Sequence, residues 1–226
     1  MKTIAAIACK GGSGKTTIAT HLAIAAHLRG LRTLLVDTDP QGSSCEVLGA
    51  RAVEGPQFLR CSAQGLLRAQ IAAVEAGCEA LVIDTPAGAE DDLGHALALS
   101  DFSLLVLRPT FLDLTAAVRT VEIVRRLRKP TMIVLNQAPT AREGAEPPSV
   151  LRALRALQVM RVPAVPAIIR ARQAYQRALE LGRSVEELSA DPAAAREIAE
   201  LWAFVHRFTF GRPARPSPED ALRAHG

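Results

Sequence analysis

Aromatic side chains are scarce: one tryptophan, one tyrosine and six phenylalanines make up 4% of the 226 residues. A core built almost without them has to be aliphatic, and 49% apolar residues supply enough material for a sizeable one. Long apolar runs are also missing. None reaches the ~18 residues of a membrane-spanning helix. The first run, 4–9, is short and stops at a lysine and glycines, which excludes the apolar centre of a signal peptide. The cytoplasm is therefore the expected compartment. The four cysteines (Cys9, Cys45, Cys61, Cys78) form no CxxC and no zinc spacing. They are expected to be reduced, buried or half-buried thiols. An acidic surplus is absent too, since 27 Lys and Arg face 23 Asp and Glu for a net charge of +4. At 22% charged residues of mixed sign, the chain is too apolar to be disordered.

The basic charge is unevenly placed. Between residues 150 and 183 stand Arg152, Arg155, Arg161, Arg170, Arg172, Arg177 and Arg183 against the single acid Glu180. A second group, Arg119, Arg125, Arg126, Arg128 and Lys129, faces only Glu122 locally. Such concentration points to a polyanion surface.

Apolar runs over 2–9, 31–37, 79–84, 102–107 and 131–136 read as buried strands, with a sixth short one expected over 164–169. Helical patterns cover 16–29, 64–76, 113–128, 150–157, 171–181 and 193–208, with Asp113 expected as an N-cap. Unbroken apolar strands alternating with helices give an α/β fold. The expected architecture is a single α/β domain with a mostly parallel twisted sheet covered by helices on both faces. The domain is expected over 1–210, followed by a Pro-containing flexible tail over 211–226. Ligands in such sheets bind at the carboxyl ends of the strands, which is where Lys10 onward, Asp37, Asp39, Asp84 and Asn136 fall.

Residues 10–17 read Lys-Gly-Gly-Ser-Gly-Lys-Thr-Thr between a strand and a helix. Gly11, Gly12 and Gly14 let the backbone turn its N–H groups, with those of Ser13 and Thr17, toward phosphate oxygens, and the helix N-terminus adds positive potential. Lys15 is expected on the β- and γ-phosphates of ATP, and the Thr16 hydroxyl on Mg²⁺. The common loop GxxxxGK[ST] is not met in full, because Cys9 cannot supply its first glycine.

This loop resembles that of the deviant-Walker-A ATPases, the ParA/MinD group, whose pattern KGGxGK[ST][TS] residues 10–17 match throughout. The resemblance implies that Lys10 reaches across an ATP-closed homodimer to the partner's phosphates, where a further cation stabilises the charge of phosphoryl transfer. Residues 33–43 (TLLVDTDPQGS) are similar to the second motif of ParA proteins. By that likeness Asp39 orients or activates the attacking water, and Asp37 supports the switch loop and the Mg²⁺ shell. Residues 81–88 (LVIDTPAG) resemble the Walker B and switch segment, so Asp84 is expected to reach the metal through water. Asn136 is expected on adenine. In the looser C-terminal third, the likeness implies non-specific double-stranded DNA binding by Arg170 and Arg172, helped by Arg177, Arg152 and Arg155.

The expected function is an ATP-dependent dimerising switch. It would bind the nucleoid in its ATP state and position a plasmid, chromosome region or protein body through a cargo-bound partner that stimulates hydrolysis. A MinD-like membrane regulator is the alternative, although the end RPARPSPEDALRAHG makes a poor lipid-inserting helix. A metallocluster carrier of the same superfamily is a third reading, which the lack of CxxC disfavours. The P-loop strand starts at Thr3, so no preceding operator-reading domain is expected.

Overall fold

The computed structural model describes residues 1–88, 90–188 and 190–211, apart from the side chains of 90–92. Except for Gly211, the expected tail therefore lies outside the described residues. Six strands form one all-parallel sheet: β1 (Lys2–Ile7), β2 (Thr33–Asp37), β3 (Gln57–Arg60), β4 (Ala80–Asp84), β5 (Phe102–Leu107) and β6 (Thr131–Leu135). Their order is β3-β2-β4-β1-β5-β6. Every residue of β2, β4 and β5 is buried, as continuous apolar sequence requires of a doubly covered sheet.

The helices are α1 (Lys15–Leu28), α2 (Ser43–Gly49), α3 (Leu66–Glu75), α4 (Glu90–Leu99), α5 (Phe111–Leu127), α6 (Pro148–Val159), α7 (Gln173–Glu180) and α8 (Pro192–Phe210). Strand residues alternate between two cores. Ile7, Leu81, Ile83, Leu105, Ile133 and Leu135 pack against α3–α6. Ile4, Leu104, Val106 and Val134 pack against α1, α7 and α8, while Ala6, Leu35 and Val82 meet α1 and α2. Trp202, the single tryptophan, is fully buried in α8 beside Ile198, Leu201 and Val205. Phe208, at the end of that stripe, stays half exposed. No described helix is long and apolar enough to cross a membrane.

Two expectations need correction. The segment 164–169 is not a strand. It runs beside β6 with isolated bridges at Ala164 and Arg170, because Pro163 and Pro166 lack the N–H that a continuous ladder needs. Nor is Asp113 the cap of α5. Thr110 holds that place and its hydroxyl accepts from the Asp113 N–H. Asp113 is buried one turn in, paired with Arg108. The edge strand β3 and helices α2 and α4 also went unread. They are short or weakly patterned, and all four β3 residues are exposed.

Two buried ion pairs fasten the turn Val185–Glu187 to the first half of the chain. Arg29 at the end of α1 meets Glu186 at 2.8 Å, with side chains 6% and 8% exposed. Arg51 after α2 meets Glu187 at 2.7 Å and donates to the Gly182 carbonyl. Removing one partner of such a pair strands the other charge in a low-dielectric setting. Arg29→Ala should therefore lower stability by about 3–5 kcal/mol, read from the shift of a urea-unfolding curve. The apolar double replacement Arg29→Met/Glu186→Leu should recover most of the loss, and a single variant as stable as the wild type would contradict this account.

His21 on α1 is fully buried, edge-on to Tyr175. Its Nδ1 donates to the Thr17 carbonyl, and its Nε2 has no hydrogen-bond partner among the described residues. Burial pushes its pKa down to about 4 from the usual 6.5, although the Thr17 carbonyl works the other way. Unfolding thus exposes an imidazole that takes up a proton the native state refuses. Stability should be fully present above pH ~6.5 and fall as the pH drops toward 4. His21→Leu should flatten that limb in unfolding curves taken between pH 7 and 4.5, and an unchanged slope would show that His21 does not set it.

Candidate functional site

The site begins where β1 ends. Gly14 caps α1 at φ +87°, with no side-chain cap and no acid in the first turn. The first N–H groups of α1 are therefore free of competing side chains, and together with the helix dipole they make an anion site. Gly14 has to be glycine for a second reason: a Cβ there would lie 2.1 Å from the Asn136 amide nitrogen. Asn136, just past β6, donates to the Ser13 carbonyl at 2.7 Å, and Gln137 donates to the Gly12 carbonyl at 2.9 Å. These two amides hold the outer side of the loop. Lys15 is buried at its base, while Lys10 stands half exposed at its start.

The acids come from the neighbouring strands. Parallel register sets Asp37 of β2 beside Asp84 of β4. Asp37 is fully buried. Its Oδ2 accepts from the Ser44 N–H at 3.0 Å and the Ser44 hydroxyl at 2.7 Å, and its Oδ1 accepts from the Asp39 N–H. It thereby anchors the start of α2 and the turn that carries Asp39. Asp39 is half exposed, and its Oδ1 takes the Gln41 N–H at 2.9 Å. Thr38 donates its N–H and hydroxyl to the Asp84 carbonyl, and Thr85 donates to the Ala6 carbonyl, which ties the ends of β2, β4 and β1 together.

Asp84 itself is 1% exposed, and among the described residues neither carboxylate oxygen makes a hydrogen bond of good geometry, although the Thr16 and Ser44 hydroxyls lie close to it. Burial pushes its pKa up to about 7, and the charge of Asp37 adds to this, while the Thr16 hydroxyl and Lys15 act in the opposite direction. A buried carboxylate beside a hydroxyl and an ammonium is a donor set that suits a hard divalent cation. Thr16 and Asp84 would hold it, and it would supply charge neutralisation at phosphate oxygens.

A cavity of ≈340 Å³ opens from the loop at Thr17, with walls that include Asn136, Gln137, Arg170, Arg172 and Tyr175. This is within the range of small-ligand pockets. Arg170 and Arg172, expected on DNA, are instead engaged here. The Arg170 guanidinium meets both oxygens of Glu146, at 2.9 and 2.5 Å, and its side chain is 12% exposed. Arg172 donates twice to Glu197, whose other oxygen takes the Tyr175 hydroxyl at 2.7 Å. Burial and the Glu197 charge raise the Tyr175 pKa, so this hydroxyl stays a donor. Arg152 and Arg155 on α6 and Arg177 on α7 are exposed. Sequence reasoning missed Gln137 and Ser44, which bond to site residues, and Arg108, which stands near Gly12. Only their closeness in sequence to Asn136, Asp37 and a strand end could have flagged them.

The sequence matches the CobQ/CobB/MinD/ParA nucleotide binding domain over residues 4–185. Maintenance of carboxysome distribution protein A of Halothiobacillus neapolitanus is 30% identical over 210 residues, spanning 88% of this chain and 94% of that protein. The cell division ATPase MinD of Pyrococcus furiosus superposes with a TM-score of 0.74 at 21% identity, covering 92% of this chain and 99% of that one. An ATP complex of a McdA variant from Cyanothece superposes with a TM-score of 0.72 at 17% identity, covering 96% and 98%. At such identities the two structures speak for the fold, whereas the domain match and the 30% relative speak for ancestry. With a lysine-led phosphate loop at the end of β1 and aspartates closing β2 and β4, the chain belongs to the CobQ/CobB/MinD/ParA nucleotide-binding family, as a P-loop protein of the ParA/MinD ATPase type.

Proposed function

We propose that this chain is an ATP-hydrolysing, dimerising switch that binds double-stranded DNA without reading sequence and positions a cargo through a partner that triggers hydrolysis. The observation that carries the reading is the pairing of the Lys10–Thr17 loop with the buried Asp84 carboxylate. In this reading Lys15 and the α1 N-terminus, with Gly11, Gly12, Ser13, Gly14 and Thr17, hold the triphosphate. Thr16 and Asp84, with Asp37 behind them, hold Mg²⁺, which neutralises phosphate charge when bound. Asp39, on a turn fixed by Asp37 and Gln41, orients the attacking water. Lys10 serves the partner protomer's phosphates. The base lies in the cavity beside Asn136, whose Nδ2 already grips the loop and whose Oδ1 is left to accept from an adenine amino group.

The DNA surface is reassigned within this reading. Arginines held in bidentate carboxylate pairs have little left to offer phosphate, so Arg152, Arg155 and Arg177 are its main elements. Arg170 and Arg172 serve as walls of the base pocket. The relative named for carboxysome distribution supports a large protein body as the cargo class, alongside plasmid or chromosome DNA. The switch would act in the cytoplasm, on the nucleoid in its ATP state.

Lys15→Ala should abolish ATP binding in calorimetric titration. Asp39→Ala should keep ATP binding and ATP-dependent dimers but slow single-turnover phosphate release by about 100-fold or more, and normal release would remove the water-orienting role. ATP-loaded protein should bind random-sequence duplex DNA with a steep inverse dependence on salt. Arg152→Glu/Arg155→Glu should remove that binding and leave ATP affinity intact. Arg170→Ala should do the reverse, weakening nucleotide binding while sparing DNA. If instead Arg170→Ala abolished DNA binding at full ATP occupancy, the reassignment would fail.

A further inference from the structure

Arg108 follows β5, the strand next to β1, and so stands beside the phosphate loop. Its own backbone N–H donates to Asp113 at 3.1 Å. Its Nε and Nη2 donate to the two oxygens of the same carboxylate at 2.9 and 3.0 Å. The remaining nitrogen, Nη1, has no hydrogen bond among the described residues. It lies against the tip of the loop, 3.8 Å from where a Cβ on Gly12 would be. Gly12 adopts φ +73° there, and its carbonyl is turned away to Gln137.

The pairing with Asp113 fixes what Arg108 can do. Asp113 is 2% exposed at the start of α5. Burial opposes its ionisation, yet the bonds and charge of Arg108 hold its pKa below the usual carboxylate range. A buried carboxylate stripped of its cation is costly, so the guanidinium does not swing free. A planar fork held along one edge presents its other edge in a fixed direction. That direction is the loop tip, while the side chain remains 33% exposed and open to a ligand. Lys15 lies at the base of the loop and Lys10 at its start, so Arg108 is a cation at its outer end that neither lysine replaces.

We propose that Arg108 is a further phosphate-binding residue of this site: its free Nη1 edge, aimed by Asp113, donates to the terminal phosphate of a nucleoside triphosphate and lets the loop tell tri- from diphosphate. The inference rests on the ATP reading above. It adds a group that touches only the phosphate lost on hydrolysis, so its contribution disappears when ADP remains. No bond is made or broken at Arg108, whose role is binding.

The test is equilibrium binding of ATPγS and of ADP, each with Mg²⁺, to the full chain. It uses wild type, Arg108→Ala, Arg108→Lys and the double variant Arg108→Ala/Asp113→Ala. The double variant strands no buried charge and keeps the test sound if the single alanine variant unfolds; melting curves check each. One charge-assisted hydrogen bond corresponds to about 10- to 100-fold in affinity. The double variant should lose that much affinity for ATPγS and stay within about twofold of wild type for ADP. Arg108→Lys should not restore it, because an ammonium cannot hold Asp113 and face the loop together. Equal losses for both nucleotides would show that Arg108 only braces Gly12, and unchanged affinities would show that it does not reach the phosphate; either overturns the proposal. Wild-type protein that bound neither nucleotide would instead overturn the ATP reading itself, and this inference with it.

Discussion

Asp84 is a carboxylate buried at the end of a strand with no well-formed hydrogen bond among the described residues, and such a group costs several kcal/mol unless its surroundings compensate. The cost follows directly from the sheet. Parallel pairing of β1, β2 and β4 forces their carboxyl ends into one row, and register puts Asp37 and Asp84 side by side in it. The two acids are then treated oppositely. Asp37 takes well-formed hydrogen bonds from its own turn and from Ser44, while Asp84 has only the Thr16 and Ser44 hydroxyls and the Lys15 ammonium nearby. Burial and the charge of Asp37 raise the Asp84 pKa to about 7, so a cation placed beside it would hold it ionised. A sheet selected for stability alone would place leucine there.

The loop opposite Asp84 is held in shape by side chains from beyond β6. Asn136 and Gln137 come from β6, two strands away from β1, and pull the Ser13 and Gly12 carbonyls outward. These bonds tie the loop to the far side of the sheet. A second network orders the walls of the adjoining cavity. Arg172, Tyr175 and Glu197 form one network that joins α7 to α8, and Arg170 ties the segment after β6 to Glu146. Tyr175 also touches His21 on α1, the helix that begins at the phosphate loop. The pocket wall and the phosphate helix are therefore in direct contact through two buried rings.

What could be read in the sequence was whatever is encoded within a few residues. The strand–loop–helix at 2–28, the aspartates ending β2 and β4 and the aliphatic runs of the inner strands all carry their own spacing, and the structure places them as expected. What could not be read turns on choices that residue spacing leaves open. Asp113 looks like a cap because it opens a helical pattern, but Thr110, three residues earlier, takes the cap and Arg108 pairs with Asp113. The segment 164–169 looks like a strand by its apolar content, yet its prolines decide the backbone ladder. Edge strand β3 has no buried face to create an alternation, so periodicity could not announce it.

The arginines show the same limit most sharply, because sequence counts charge and structure distributes it. Arg29, Arg51, Arg108, Arg170 and Arg172 each meet a carboxylate, with side chains one-third exposed at most, and do architectural work there. Each pair removes one positive and one negative charge from the surface. The excess of +4 is thereby preserved but carried by fewer exposed groups. Exposed Arg152 and Arg155 lie three residues apart on one face of α6, and Arg177 stands on α7. An arginine cluster in sequence thus resolves into two populations, one paired with carboxylates and one exposed. Only burial and pairing, not spacing, tell them apart.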